Sequence, residues 1–377
     1  TPKTFGWAPG SYHQVSSLSP QTKAGETGIR YAFANWNDQG AQSHTVKVPD
    51  ISTTYTATFA KQYSLTAVSN PAAGGTVSSG GESWWNAGST ATGVRATASS
   101  GYQFTGWSGA SSSTENPAPG IVMDGTKALT ANFGKLVGYT VTSVPAGRQV
   151  VVDGSTYTTP QTFNWLPGTE HTIGVATTPQ QGVTGTRYVY QGWSDQGAQS
   201  HTVTVPQTAT TYTATFVTQH AVTGAVNPSG AGTLSLSPAA VEVEGGRSGY
   251  LAGQTVTATT EPSSASYAFA GWVGGPVTAV SGGVAGGVVG TVAMDSPKAV
   301  TASYNVAYTV TTEPAGLSVV VDGGTYTTPK TFGWAPGSAH WLYVALTSQT
   351  KTGETGTRYI YQRWSGGESQ FQLLTAP

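Results

Sequence analysis

The chain has 377 residues, a net charge of −1, no cysteine, and only 9% charged residues. Soluble domains ordinarily carry roughly 25% charged residues, so hydroxyl and amide side chains must supply the polar surface here. The near-neutral balance excludes an electrostatic footprint for nucleic acid or anionic lipid, and the missing thiols exclude a disulfide framework, a thiolate metal site and a cysteine nucleophile.

One cassette is read five times along the chain. An aromatic residue stands three before a glycine at Trp7/Gly10, Trp85/Gly88, Trp165/Gly168, Tyr250/Gly253 and Trp334/Gly337, and a second tryptophan follows at Trp36, Trp107, Trp193, Trp272 and Trp364. Self-similarity of this kind signals strung or stacked modules rather than one enzyme core. Two types alternate. Type A carries Arg30, Arg187 or Arg358 six residues ahead of its second tryptophan, and type B does not. The expected boundaries are 1–60 (A), 61–137 (B), 138–218 (A), 219–306 (B) and 307–377 (A).

In chain order, the first copy opens late, without the strands seen at 139–158 and 308–327. The third copy shows the full type A pattern. Val-Val-Val before Asp153-Gly154 and Thr-Tyr-Thr after it predict a hairpin, repeated at Asp322-Gly323, because such a turn needs positive φ. Alternating Thr and Val at 201–205, then alternating Thr and apolar residues at 211–216, have the period of half-buried strands. No helical period stands out. Short connectors at about 60–63, 134–139, 217–221 and 305–308 predict neighbours that touch. The stretch 274–290, and its counterpart 109–120, read as a variable loop; it lacks the Gly-Lys-Ser/Thr ending of a phosphate loop. The reading is all-β: a tandem array of five small sheet or sandwich-like modules forming an extended rod.

Residues Thr1 to Gly10 are identical to Thr328 to Gly337. Together with the missing strands at both ends, this reads as a window cut from a longer array, or as ends completed by a neighbouring chain.

Several of these residues resemble known families. Gly101-Tyr-Gln-Phe-Thr-Gly-Trp-Ser108 with Met123 to Phe133, and the matching Tyr267 to Trp272 with Met294 to Tyr304, resemble the divergent internalin B-type repeats of bacterial surface proteins. Val144-Pro-Ala-Gly with Asp153-Gly154, Thr159-Pro160 and Pro167-Gly168, and the matching 314–340, are similar to the PEGA domain, a small β module of bacterial envelope proteins. Both resemblances imply structural or adhesive work and carry no catalytic signature.

Trp7, Trp36, Trp85, Trp107, Trp165, Trp193, Trp272, Trp334 and Trp364 are expected in the cores, because modules this small need large apolar side chains. Trp84 and Trp341 do not recur: Gly249 and Thr172 take their places. They are the ligand-binding candidates. His13 with His44, and His171 with His201, stand near Asp38 or Asp195, while in copy five Phe371 and Gly366 occupy the corresponding places beside His340. Two ligands and a movable aspartate fall short of a zinc set, so no metal or cofactor is expected. Lys127 and Lys298 recur, but the isopeptide partner Asn132 becomes Ser303. No hydrolase motif or recurring carboxylate pair is present.

The expectation is a non-catalytic structural segment of a bacterial cell-surface or secreted repeat protein: a stalk, filament or adhesin shaft. Expected partners are neighbouring modules, further copies of the chain in a fibre, or a surface glycan, with no nucleic acid and no membrane insertion in this segment. The alternatives are a carbohydrate-binding array and the non-catalytic tail of a secreted hydrolase.

Overall fold

The computed structural model describes residues 2–78, 81–244, 247–274, 277–280, 288–345, 348–367 and 369–376. Among them there is no α-helix; one short 3-10 turn, Ala72–Gly74, interrupts a succession of strands. The fold is all-β and modular.

Copy three displays the plan. Val137–Val144 lies between Gln161–Trp165 and Thr211–Asn227, and the latter is flanked on its other side by Thr186–Trp193. A second sheet runs Ser155–Thr158, Gln149–Val152, Glu170–Gly174, Ser200–Thr204. The period-two pattern turns Tyr139, Val141, Tyr212, Ala214 and Phe216 of the first sheet onto Val150, Val152, Ile173 and Val203 of the second, closing a sandwich core. Asp153 and Gly154 take φ of 47° and 79°, the turn between Gln149–Val152 and Ser155–Thr158.

Copy four repeats the two-sheet plan around Val222, Tyr250, Val256, Val292, Met294 and Val300. Some of the glycine-rich stretch 274–290 lies outside the described residues. The rest is not loop: Val277–Val280 and Val288–Ala293 pair as strands, because β-branched valines flank the glycines and extend the second sheet.

The first and last strands of a copy are parallel neighbours. Residues 65–70 pair with 127–132, 140–144 with 211–215, and 222–227 with 298–303. Three closing strands then continue unbroken as the opening strand of the next copy, and that of copy two stops one residue short of it. Ala57–Asn70, Thr211–Asn227 and Lys298–Val310 run through positions 60/61, 218/219 and 306/307, where copies were expected to meet, and 137/138 falls within Val137–Val144. The expected connectors are therefore strand, broken only at Leu136 between Lys127–Lys135 and Val137–Val144. At the other three junctions the next ladder has begun where one ends, so no residues are left over for a linker.

Trp36, Trp107, Trp165, Trp193 and Trp334 are buried. Trp85, Trp272 and Trp364 are half-buried against the cores of copies two, four and five. The second tryptophans share an anchor: the indole N–H donates to the backbone carbonyl of Gln42, Glu115, Gln199 or Gln370 in copies one, two, three and five. Trp7 departs from the expected core role. It stacks between Phe5 and His13 outside any core cluster, because residues 2–7 form no strand, whereas Gln161–Trp165 and Lys330–Trp334 pair with an opening strand.

Candidate functional site

Two places stand out from the repeating plan: the junctions, and the outer face of copy five.

At each junction from type A to type B, two consecutive residues are paired on both edges. Gln62 and Tyr63 face Arg30 and Ile29 on one side and Asn86 and Trp85 on the other. Gln219 and His220 likewise face Arg187 and Thr186, then Leu251 and Tyr250. The recurring arginines serve this joint: Arg30 Nε donates to Gln62 Oε1 at 2.7 Å, and Arg187 Nε to Gln219 Oε1 at 2.8 Å. Side chains from both copies close the gap. A Cβ at Gly28 would come within 2.6 Å of Thr126, and one at Gly185 within 2.9 Å of Pro297. From copy two to copy three, Leu166 fills the space over Gly134.

Trp84 belongs to this joint. The Arg30 guanidinium lies 4.6 Å from its ring centroid, and the indole is half-buried. At the other such junction Gly249 occupies the place of Trp84, paired with Ala221, and Arg187 is itself buried. The first ligand candidate is thus an intermodular contact.

Trp341 is different. It lies on Ala339–Tyr343, is 54% exposed, and pairs with Leu373 of Phe371–Thr375, which is equally exposed. Beside them Tyr343 stacks on Phe371, with ring centroids 4.8 Å apart. Directly paired residues share a face, and the buried Leu342 alternates with these two, so all four point away from the core. The same four outward positions are Thr172, Gly174, Ser200 and Thr202 in copy three, and Gln14, Ser16, Ser43 and Thr45 in copy one. Small and polar residues have been replaced by large apolar ones at every one of them.

That register corrects one sequence equivalence. Phe371 occupies the place of Ser200, facing out, and Gln372 that of His201, since Leu342 pairs with Gln372 as Ile173 does with His201. The alternation along 369–373 had no turn residue to fix its phase, so the aromatic face was not legible beyond Trp341.

Four of the six histidines are each matched with an aspartate. His44 lies 2.9 Å from Asp38 and His201 3.0 Å from Asp195, both within one turn. His171 contacts Asp153 at 2.8 Å and His340 contacts Asp322 at 2.6 Å, pairs that sequence proximity alone does not suggest. The signal was an identical interval from the hairpin aspartate to the histidine in copies three and five. These two rings also stack on Trp165 and Trp334, with centroids 4.0 and 4.2 Å apart, and their Nε2 atoms meet Thr169 and Ser338 hydroxyls. The His340 contact, with the Trp341 N–H, holds the Asp322 carboxyl below its usual range against the opposing effect of burial. Among the described residues no three His, Asp or Glu side chains converge.

Lys127 and Lys298 form ion pairs with Asp124 and Asp295, at 2.6 and 2.5 Å. Asn132 instead donates to Ser108. His220, at the junction, is buried, and burial pushes its pKa down.

No curated protein matches the chain. Residues 63–136 match the family model of the divergent InlB B-repeat domain. The matched segment is copy two, and copy four shares its pairing: Leu65 faces Lys127 in one, Val222 faces Lys298 in the other, and each runs parallel for six pairs. Over residues 63–136 the chain is therefore similar to a repeat of the divergent InlB type.

Proposed function

We propose that the chain is a non-catalytic structural segment of a bacterial cell-surface or secreted repeat protein, working as a stalk, filament or adhesin shaft. Repeats of the InlB type are typical of bacterial surface proteins, and copy two matches that family. The type A copies, with their Pro-Ala-Gly and Asp-Gly turns, read as PEGA-like modules between them.

The observation that carries the proposal is the shared strand. In Thr211–Asn227 the ladder to 140–144 begins at Thr211 and the ladder to 298–303 begins at Val222. Eleven residues of strand advance the chain by about 36 Å at roughly 3.3 Å each, close to one module's width. Continuous strands joining successive copies favour a stiff shaft over beads on a flexible cord. Negative-stain micrographs of the purified chain test this: rods are expected, and compact particles would sink it.

A second reading is favoured by the aromatic face of copy five. Four side chains are far too few for a protein partner, which needs about 20–30 residues a side. Flat rings on an exposed sheet suit the apolar face of a pyranose, and an array of chains would add avidity. On this reading Trp341, Tyr343, Phe371 and Leu373 hold a polysaccharide. A glycan array tests it, with loss of binding expected in Trp341→Ala and retention in Trp84→Ala. Equal binding by Trp341→Ala and the parent would remove the reading.

A further inference from the structure

Tension on a shaft enters each copy through its opening strand and leaves through its closing strand. In the three copies that contain both, these strands are adjacent and parallel: 65–70 beside 127–132, 140–144 beside 211–215, and 222–227 beside 298–303. Chain direction then fixes how force acts. The opening strand is pulled from its N-terminal end and the closing strand from its C-terminal end. Two parallel strands loaded this way are drawn past each other along their own axes. Every hydrogen bond of the ladder carries load at once, and none can yield without the others. Antiparallel neighbours loaded from the same end would instead unzip, losing their bonds in succession.

The ladders are also dry. Leu65, Ala67, Leu129 and Ala131 in copy two, Val141 and Ala214 in copy three, and Val222, Val300 and Ala302 in copy four are at most 2% exposed. Water, which would compete for a strained amide, is kept from the inner face of each pair. The continuous strands pass the same load onward: Thr211–Asn227 belongs to the ladders of copies three and four at once.

We propose that these parallel pairs are mechanical clamps, and that the segment bears tension along its length. This rests on the shaft reading above and adds to it a function that a mere spacer does not need. The chain itself supplies a clean test because it contains no cysteine. In an optical trap, handles at the two chain ends load the clamps along the strands. Handles at Val144→Cys and Thr215→Cys load the clamp of copy three across them, since these two residues are partners at the same end of the ladder and both are exposed.

The expected result is stepwise unfolding through the ends, with releases on the order of 25 nm per clamped copy at about 3.4 Å per freed residue. The force should be several-fold higher than in the cross-strand geometry. Equal forces in the two geometries would overturn the proposal, as would end-to-end unfolding without discrete steps. A matching denaturant midpoint shows that the cysteine variant is folded. Rods in micrographs combined with equal forces would leave a shaft that is not load-bearing, whereas compact particles would remove the shaft itself.

Discussion

Arg30 of copy one lies over the indole of Trp84 of copy two, 4.6 Å from the ring centroid, while its Nε is fixed by Gln62. A guanidinium over tryptophan contributes about 0.5–1 kcal/mol when partly exposed. A double-mutant cycle of Arg30→Ala and Trp84→Ala, read by denaturant titration, should give a coupling of about that size. Strict additivity would mean the two side chains do not sense each other.

The outward face of copy five should matter little to stability. Trp341→Thr with Leu373→Thr installs the residues found in copy three, at positions already more than half exposed. The folding free energy should change by no more than about 0.5 kcal/mol. A large loss by calorimetry would place these side chains in a packed contact and not on a free face.

The junction between copies three and four should weaken in mild acid. Burial lowers the pKa of His220, against the opposing pull of Asp295, so the fold favours the neutral ring. The unfolded ring titrates near ~6.5. A folded pKa below that value means that stability is fully present above pH ~6.5 and is lost as pH falls toward the folded pKa. Thr186 Oγ1, 3.1 Å from Nδ1, is its hydrogen-bonding neighbour. His220→Tyr, which copies Tyr63 at the other type A to type B junction, should flatten this slope in denaturation midpoints taken across that range. An unchanged slope would assign the acid sensitivity elsewhere.

Gly109 ends Tyr102–Gly109 at φ +95°, with the carbonyl of Ala128 where a Cβ would project. Gly274 repeats the arrangement in copy four, against Ala299. Gly109→Ala combines an unfavourable φ with a backbone clash and should cost about 2–3 kcal/mol. Thermal melting of the variant checks this; an unchanged midpoint would mean that the closing ladder shifts without penalty.

Strands, turns and repeats were legible because each has a local cause. Asp153-Gly154 needs a left-handed turn, and the Thr-Tyr-Thr-Ala-Thr-Phe run alternates. What stayed hidden is non-local. Nothing within 211–216 shows that its neighbour is a parallel strand some seventy residues earlier. The Phe216 motif looked like an ending because it closes a copy, yet the six residues from Val217 to Val222 include no glycine, proline or asparagine to turn the chain. Their absence was the sign that the strand goes on. Trp7 misled for a related reason: its sequence matches Trp334, but burial depends on the opening strand beside it. Trp84 stood out as non-recurring, and only the position of Arg30 distinguishes a joint from a ligand site.

The shared strand also limits how such a protein can change in length. Phe216 and Val222 are both buried, one in copy three and one in copy four, an even number of residues apart on a single strand. One residue gained or lost between them would send the next copy's apolar side chains to the water side. Gain or loss of a whole A–B pair keeps every face where it was. Duplication in such a gene should therefore survive in steps of complete units, and small indels should collect at turns such as 228–231, where no inherited phase has to be preserved.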